Sequence, residues 1–197
     1  MSIRQETEAL IDSLKSTCQT YGLGNDGNEY KIITQMFLYK FLNDKFGCEI
    51  KKKSPALAAA PKWETAYAAL SDDDRADLLD ALPPGVLRLE PQHLLSHLWN
   101  QQAKGDFDLI LDNTMIEIAE KNMNIFATKT AQNTRIPLFE KLTPFVTDEA
   151  ARAPFARALV DKLTNFSFEG IFAEKYDFFA AVFEYRIKDY NTAGGGK

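Results

Sequence analysis

The apolar positions of this chain recur with a helical period through most of its length. In residues 3–20, Ile3, Ala9 or Leu10, and Leu14 suggest one buried side of a first helix. Gly22, Gly24, Asn25, Asp26, Gly27 and Asn28 then crowd into a turn. The strongest internal pattern spans residues 30–46, where Ile33, Phe37, Phe41 and Leu42 share a face with Met36 and Leu38 alongside. Gly47 is the expected C-terminal stop, with Lys45 in the last turn, where the helix dipole favours a cation. Lys51-Lys-Lys-Ser-Pro55 predicts a break.

Beyond it, residues 56–70 are alanine-rich and read as helix after Pro61. Ser71 stands as an N-cap with Asp74 at the reciprocal capping-box position, and Leu78, Leu79 and Leu82 form the buried side. Pro83-Pro-Gly85 ends that helix, and Pro91 opens another that extends to Gln102. Residues 107–119 are helical by preference, although Leu109-Ile-Leu111 alone is compatible with a strand. Residues 122–134 are polar and read as a loop or a frayed helix, and residues 138–145 as a short element. Pro154 is placed at the start of a helix holding Phe155, Leu159, Val160 and Leu163.

The last periodic stretch is aromatic. Phe172, Tyr176, Phe179, Ala180, Phe183 and Ile187 fall on one helical face, and Glu184 and Lys188 form an i,i+4 pair of the favoured polarity. Core packing explains these rings better than a cofactor box. Gly194, Gly195 and Gly196 cannot extend the helix and read as a flexible linker. They are not a phosphate loop: that motif needs a glycine five residues before Gly196, and none stands there. The expected fold is therefore all-α: a multi-helix bundle with any strands short and peripheral. A helical domain over residues 1–190 would be followed at 191–197 by the start of a linker to a further domain.

Composition narrows the class. The 197 residues fit one domain, 45% hydrophobic and 26% charged, with 14 Phe to fill a core. No run approaches a membrane helix, and the polar N-terminus resembles neither a signal nor a transit peptide. The only cysteines, Cys18 and Cys48, lie in apolar-periodic stretches and read as reduced structural thiols of a cytoplasmic protein. The net charge of −5 argues against a strong free-standing nucleic-acid binder. The charge is uneven, however: residues 31–53 carry six lysines against Asp44 and Glu49, while residues 71–90 carry six acids against Arg75 and Arg88. The basic stretch can face a phosphate backbone, and the acidic one a partner or solvent. A normal surface of mixed patches accounts for each equally well.

Candidate chemistry is sparse. His93 and His97 are the only histidines, spaced i,i+4, but Leu94 stands where a zinc-protease motif needs Glu. Two partly exposed helix histidines are expected rather than a metal site, and no nucleophile is indicated. Asp106, Asp108 and Asp112 do not share a helical face, so matching of a helix dipole is favoured over magnesium binding. There is no glycine-rich dinucleotide fingerprint and no Asn-Pro-Pro-aromatic tetrapeptide; the nearest string is Leu82-Pro-Pro-Gly85. No catalytic, cofactor or metal residue is assigned.

Two segments together carry a resemblance. Ile32-Ile-Thr-Gln-Met-Phe-Leu-Tyr-Lys-Phe-Leu-Asn-Asp-Lys-Phe46 resembles an early helix of the methyltransferase subunit of type I restriction-modification systems. Tyr176-Asp-Phe-Phe-Ala-Ala-Val-Phe-Glu-Tyr-Arg-Ile-Lys-Asp-Tyr190 is similar to the last helix of that subunit's N-terminal domain, which a glycine-and-lysine linker follows. The resemblance covers both ends of the chain, while residues 51–134 add little to it.

It implies a parent that is an adenine-N6 DNA methyltransferase using S-adenosylmethionine, with its catalytic and cofactor motifs beyond Lys197. It also implies a non-catalytic helical domain here, working with double-stranded DNA, a specificity subunit, a restriction (motor-nuclease) subunit and a second methyltransferase subunit. In such a domain Lys40, Lys45, Lys51, Lys52 and Lys53 are candidates for phosphate contact, offsetting part of the cost of extruding a base. Tyr185 and Tyr190, off the main apolar face, are candidates for partner contact. Two competing readings remain open: a protein-interaction domain with no direct DNA contact, and a stand-alone helical metal enzyme built on His93 and His97.

Overall fold

The computed structural model describes residues 2–126, 128–129, 135–136 and 138–172. The aromatic helix predicted up to Tyr190 lies, past Phe172, outside the described residues, and so do the glycine linker, Tyr185 and Tyr190. The described chain is an all-α, multi-helix fold. Its only strands among the described residues are the two-residue β1 (Thr128–Lys129) and β2 (Arg135–Ile136), paired antiparallel.

Helix α1 (Ile3–Thr20) starts at a complete capping box. The Ser2 hydroxyl accepts from the Gln5 amide, and the Gln5 side chain accepts from the Ser2 N–H. Leu10, Ile11, Leu14 and Cys18 are its buried side, and Gly22 at φ +82° turns the chain behind it. Burial pushes the Cys18 thiol up to about 12.

Helix α2 (Gly27–Lys53) is the longest element and does not stop at Gly47. The glycine is instead a packing site: an added Cβ would stand 2.6 Å from Trp63 Cζ2. The indole of α4 (Trp63–Ala68) lies directly against the bare backbone of α2. The break comes one residue before Pro55, at Ser54. Ser54 is extended, ends α2, and caps α3 (Pro55–Ala59) by accepting from Leu57 N–H. Helix α4 follows Pro61 as expected, and α3 is a further short helix before it.

Ser71 caps α5 (Asp72–Asp80) as expected, accepting from Asp74 N–H. The next helix divides where one was expected. Residues Pro91–His93 form a 3₁₀ turn, Leu94 is extended at ψ 140°, and α6 (Leu95–Trp99) follows. Helix α7 (Phe107–Lys121) leads into α8 (Met123–Phe126). A second 3₁₀ turn, Thr143–Phe145, precedes α9 (Glu149–Thr164). Pro154 does not open α9. Asp148 does, by accepting from Ala150 N–H, and Pro154 sits inside the helix, where its missing N–H leaves the Ala150 carbonyl without its usual donor. Helix α10 (Glu169–Phe172) ends the described chain.

Helices α2 and α9 organise the packing. Helix α9 touches α1, α2, α6 and α7, while α2 touches α1, α3, α4, α5, α9 and α10. Beside α2 runs the irregular segment 86–95, whose buried backbone polar groups need partners away from water. Side chains supply them. Tyr67 donates to the Leu89 carbonyl at 2.5 Å, and Tyr39 to the His93 carbonyl at 2.5 Å. Asn43 accepts from Leu95 N–H at 2.9 Å. Asn122 accepts from Arg88 N–H and donates to its carbonyl. Asp112, expected to match a helix dipole, instead binds the second 3₁₀ turn from the core. It accepts from the amides of Leu142 and Thr143 and from the Thr143 hydroxyl. Among the described residues, no helix is long and apolar enough to cross a membrane.

Candidate functional site

The five candidate lysines all belong to α2, and the structure separates them. Lys40 is turned inward: its ammonium stands 3.1 Å from Asp44 Oδ1, with both side chains only 9% exposed. It therefore leaves the set of phosphate contacts, because a cation held by a buried carboxylate has no face to offer a duplex. Asp44 has a second task, accepting from Phe168 N–H at 2.9 Å through its other oxygen. The buried pair is thus part of the joint between α2 and the chain leading into α10.

Lys45, Lys51, Lys52 and Lys53 gather at the other end of α2. Glu49 lies among them, with its Oε1 3.1 Å from Lys45 Nζ and 3.0 Å from Lys52 Nζ. Burial works to raise the Glu49 carboxyl, but hydrogen bonds and charge from Lys52 and Lys45 hold it below the ordinary carboxylate value. The same contact raises Lys52. Lys51 reaches across to Glu169 at the start of α10, 2.7 Å away. Lys53 is exposed and has no ion-pair partner among the described residues. Among the described residues, four lysines against two carboxylates leave an excess of two positive charges here. Three lysines in the last turn of α2 also oppose the negative end of its dipole.

Aromatic rings line this end. Lys45 Nζ lies 5.2 Å from the Phe172 centroid and Lys51 Nζ 5.8 Å from that of Trp63, both within cation–π range. Phe37 and Phe41 meet Phe168 edge-on at 5.1 and 5.5 Å, and Phe41 also meets Phe172 at 5.4 Å. These contacts fix α10 along α2.

The two histidines do not form a site. His93 is fully buried rather than partly exposed, whereas His97 is exposed, because the break at Leu94 removes the helical spacing that would have aligned them. His93 Nδ1 accepts from Glu90 N–H at 3.0 Å, which places the imidazole proton on Nε2. Nε2 lies 3.1 Å from Glu117 Oε1, off the line of a well-formed hydrogen bond. Burial holds His93 below its ordinary pKa, with Glu117 opposing. No cluster of three His, Cys, Asp or Glu suited to a metal occurs among the described residues. Cys18 is buried and Cys48 half-buried, both as free thiols.

The i,i+4 spacings of Lys40 with Asp44 and Lys45 with Glu49 were visible in the sequence as pairing signals. The Lys51–Glu169 contact was not, since it joins positions 118 apart. Compared with known protein families, curated proteins and solved structures, the chain has no match.

Proposed function

We propose that this chain is the non-catalytic helical N-terminal domain of an adenine-N6 DNA methyltransferase subunit of type I restriction-modification systems. In this reading it closes on duplex DNA and assembles with the specificity subunit, and through the complex with the restriction subunit and a second methyltransferase subunit. S-adenosylmethionine and the methyl-transfer chemistry belong to another part of the parent, in the cytoplasm. One observation supports the reading most: Ile32–Phe46, the stretch that carries the resemblance, lies in α2, and the same helix ends in the excess of positive charge around Lys51, Lys52 and Lys53. Phosphate contacts of this kind position a protein on DNA without reading its sequence.

The ion pairs at Lys45, Lys51 and Lys52 favour a second reading, a protein-interaction domain with no direct DNA contact. Fluorescence anisotropy of a labelled random duplex separates the two. The first reading expects weak binding by the chain alone, falling steeply with salt and indifferent to sequence, and tighter binding once the specificity subunit is added. Complex formation with that subunit, with no contribution of this chain to duplex binding, supports the second.

A further inference from the structure

Lys51 does not hold its carboxylate in the way its neighbours do. Lys45 and Lys52 share Glu49, a side chain 10% exposed on their own helix, so that pairing is built into α2. The partner of Lys51 comes from a different element and is 57% exposed. A solvent-facing carboxylate on one ammonium presents the same chemistry to that ammonium as a phosphodiester oxygen: a charged acceptor at hydrogen-bond distance. The Lys51 ammonium also has a fixed seat over the Trp63 ring, which is itself held against Gly47. Losing Glu169 therefore leaves Lys51 in place.

The consequence for α10 differs. Among the described residues, the ion pair that joins α10 to α2 is Lys51–Glu169, with Glu169 more than half exposed. The Phe168 amide on Asp44 and the Phe168 ring on Phe37 and Phe41 lie deeper, and both precede α10. Phe172 meets the Phe41 ring and lies beside the Lys45 ammonium.

We infer that Lys51 is an exchange position, where Glu169 and a phosphate of duplex DNA compete for one ammonium, so that seating the duplex loosens α10 from α2. This rests on the DNA-contacting reading above and adds a regulatory contact to it. Glu169 keeps the basic end partly neutralised when DNA is absent. It also couples occupation of the site to the chain that continues from α10.

The test is a double-mutant cycle on the 197-residue chain, binding a random labelled duplex at several salt concentrations. Glu169→Gln should tighten binding roughly two- to fivefold, the range set by an exposed ion pair. In a Lys51→Gln background the same change should do nothing. Asp73→Asn, which removes one exposed negative charge from α5, is the control for net charge. In wild type, saturating duplex should speed amide hydrogen exchange across residues 169–172; in Glu169→Gln that exchange should be fast from the start. If wild type binds and Glu169→Gln does not tighten it, or Asp73→Asn tightens it equally, the exchange is refuted while DNA contact stands on other residues. If neither wild type nor Glu169→Gln binds duplex, the exchange and the DNA-contacting reading fall together.

Discussion

Lys40 and Asp44 form an ion pair inside the fold, Nζ to Oδ1 at 3.1 Å, one helical turn apart on α2 and 9% exposed on each side. Asp44 also holds the Phe168 amide, so one carboxylate neutralises a buried cation and ties the approach to α10 onto α2. Removing one member of such a pair strands the other away from water, which costs more than the pair contributes when intact.

Asp44→Ala should accordingly destabilise the chain by about 3–5 kcal/mol, through an unpaired Lys40 and an unsatisfied Phe168 N–H. Lys40→Met in the same background should recover part of the loss. Urea unfolding followed by circular dichroism checks both. A loss under about 1 kcal/mol for Asp44→Ala, the level of an exposed pair, would show that water reaches this carboxylate.

Gly47 makes a prediction against propensity. Alanine is the better helix former by about 1 kcal/mol, so Gly47→Ala in an ordinary exposed helix would stabilise. Here the new methyl would enter the Trp63 ring at 2.6 Å, and that ring also packs against Phe46 at 6.3 Å between centroids. Overpacking of a rigid ring costs typically 1–3 kcal/mol, so the net change should be a lower melting temperature. A raised melting temperature would mean that Trp63 yields freely.

His93 makes the fold acid-sensitive. Its folded pKa lies below its unfolded value, so the unfolded chain binds the extra proton first. Stability is fully present above the unfolded histidine value of about 6.5 and falls as pH drops from there through the lower folded value. Protonation would also set a second N–H against the Glu90 N–H that Nδ1 now accepts. The charged neighbours act unequally, with Glu117 and Glu90 favouring the proton and Lys121 opposing it. Urea unfolding at pH 7.5, 6.5 and 5.5 should show declining stability, and His93→Gln should lose most of that slope. The Glu117 carboxyl, held below its ordinary value, adds a separate loss only at more acidic pH. An unchanged slope in His93→Gln would move the acid sensitivity elsewhere.

Local signals were enough for some of this architecture. The turn cluster from Gly22 bounded α1 at its end, and Ser71 marked the start of α5, because turns and caps are decided within a few residues. The end of α2 was misjudged because Gly47 serves close packing and not a stop: Trp63 lies against it, a contact between separate elements that local sequence does not show. Pro154 was a false start for α9, although Asp148 six residues earlier carried the real capping signal. Burial of His93 was not legible: Glu90 is a local partner, but Tyr39 and Glu117 reach it from distant parts of the chain. At the candidate site the sequence showed the charge excess on α2, but not which lysine faces inward or which is held from α10.

The most direct measurement for the central claim is the sequence and intact mass of the native product from which these 197 residues come. The account expects a longer chain that carries a cofactor-binding glycine motif and an Asn/Asp-Pro-Pro-aromatic motif beyond these residues. A native product that terminates at Lys197, or that continues into a domain without those motifs, would contradict it.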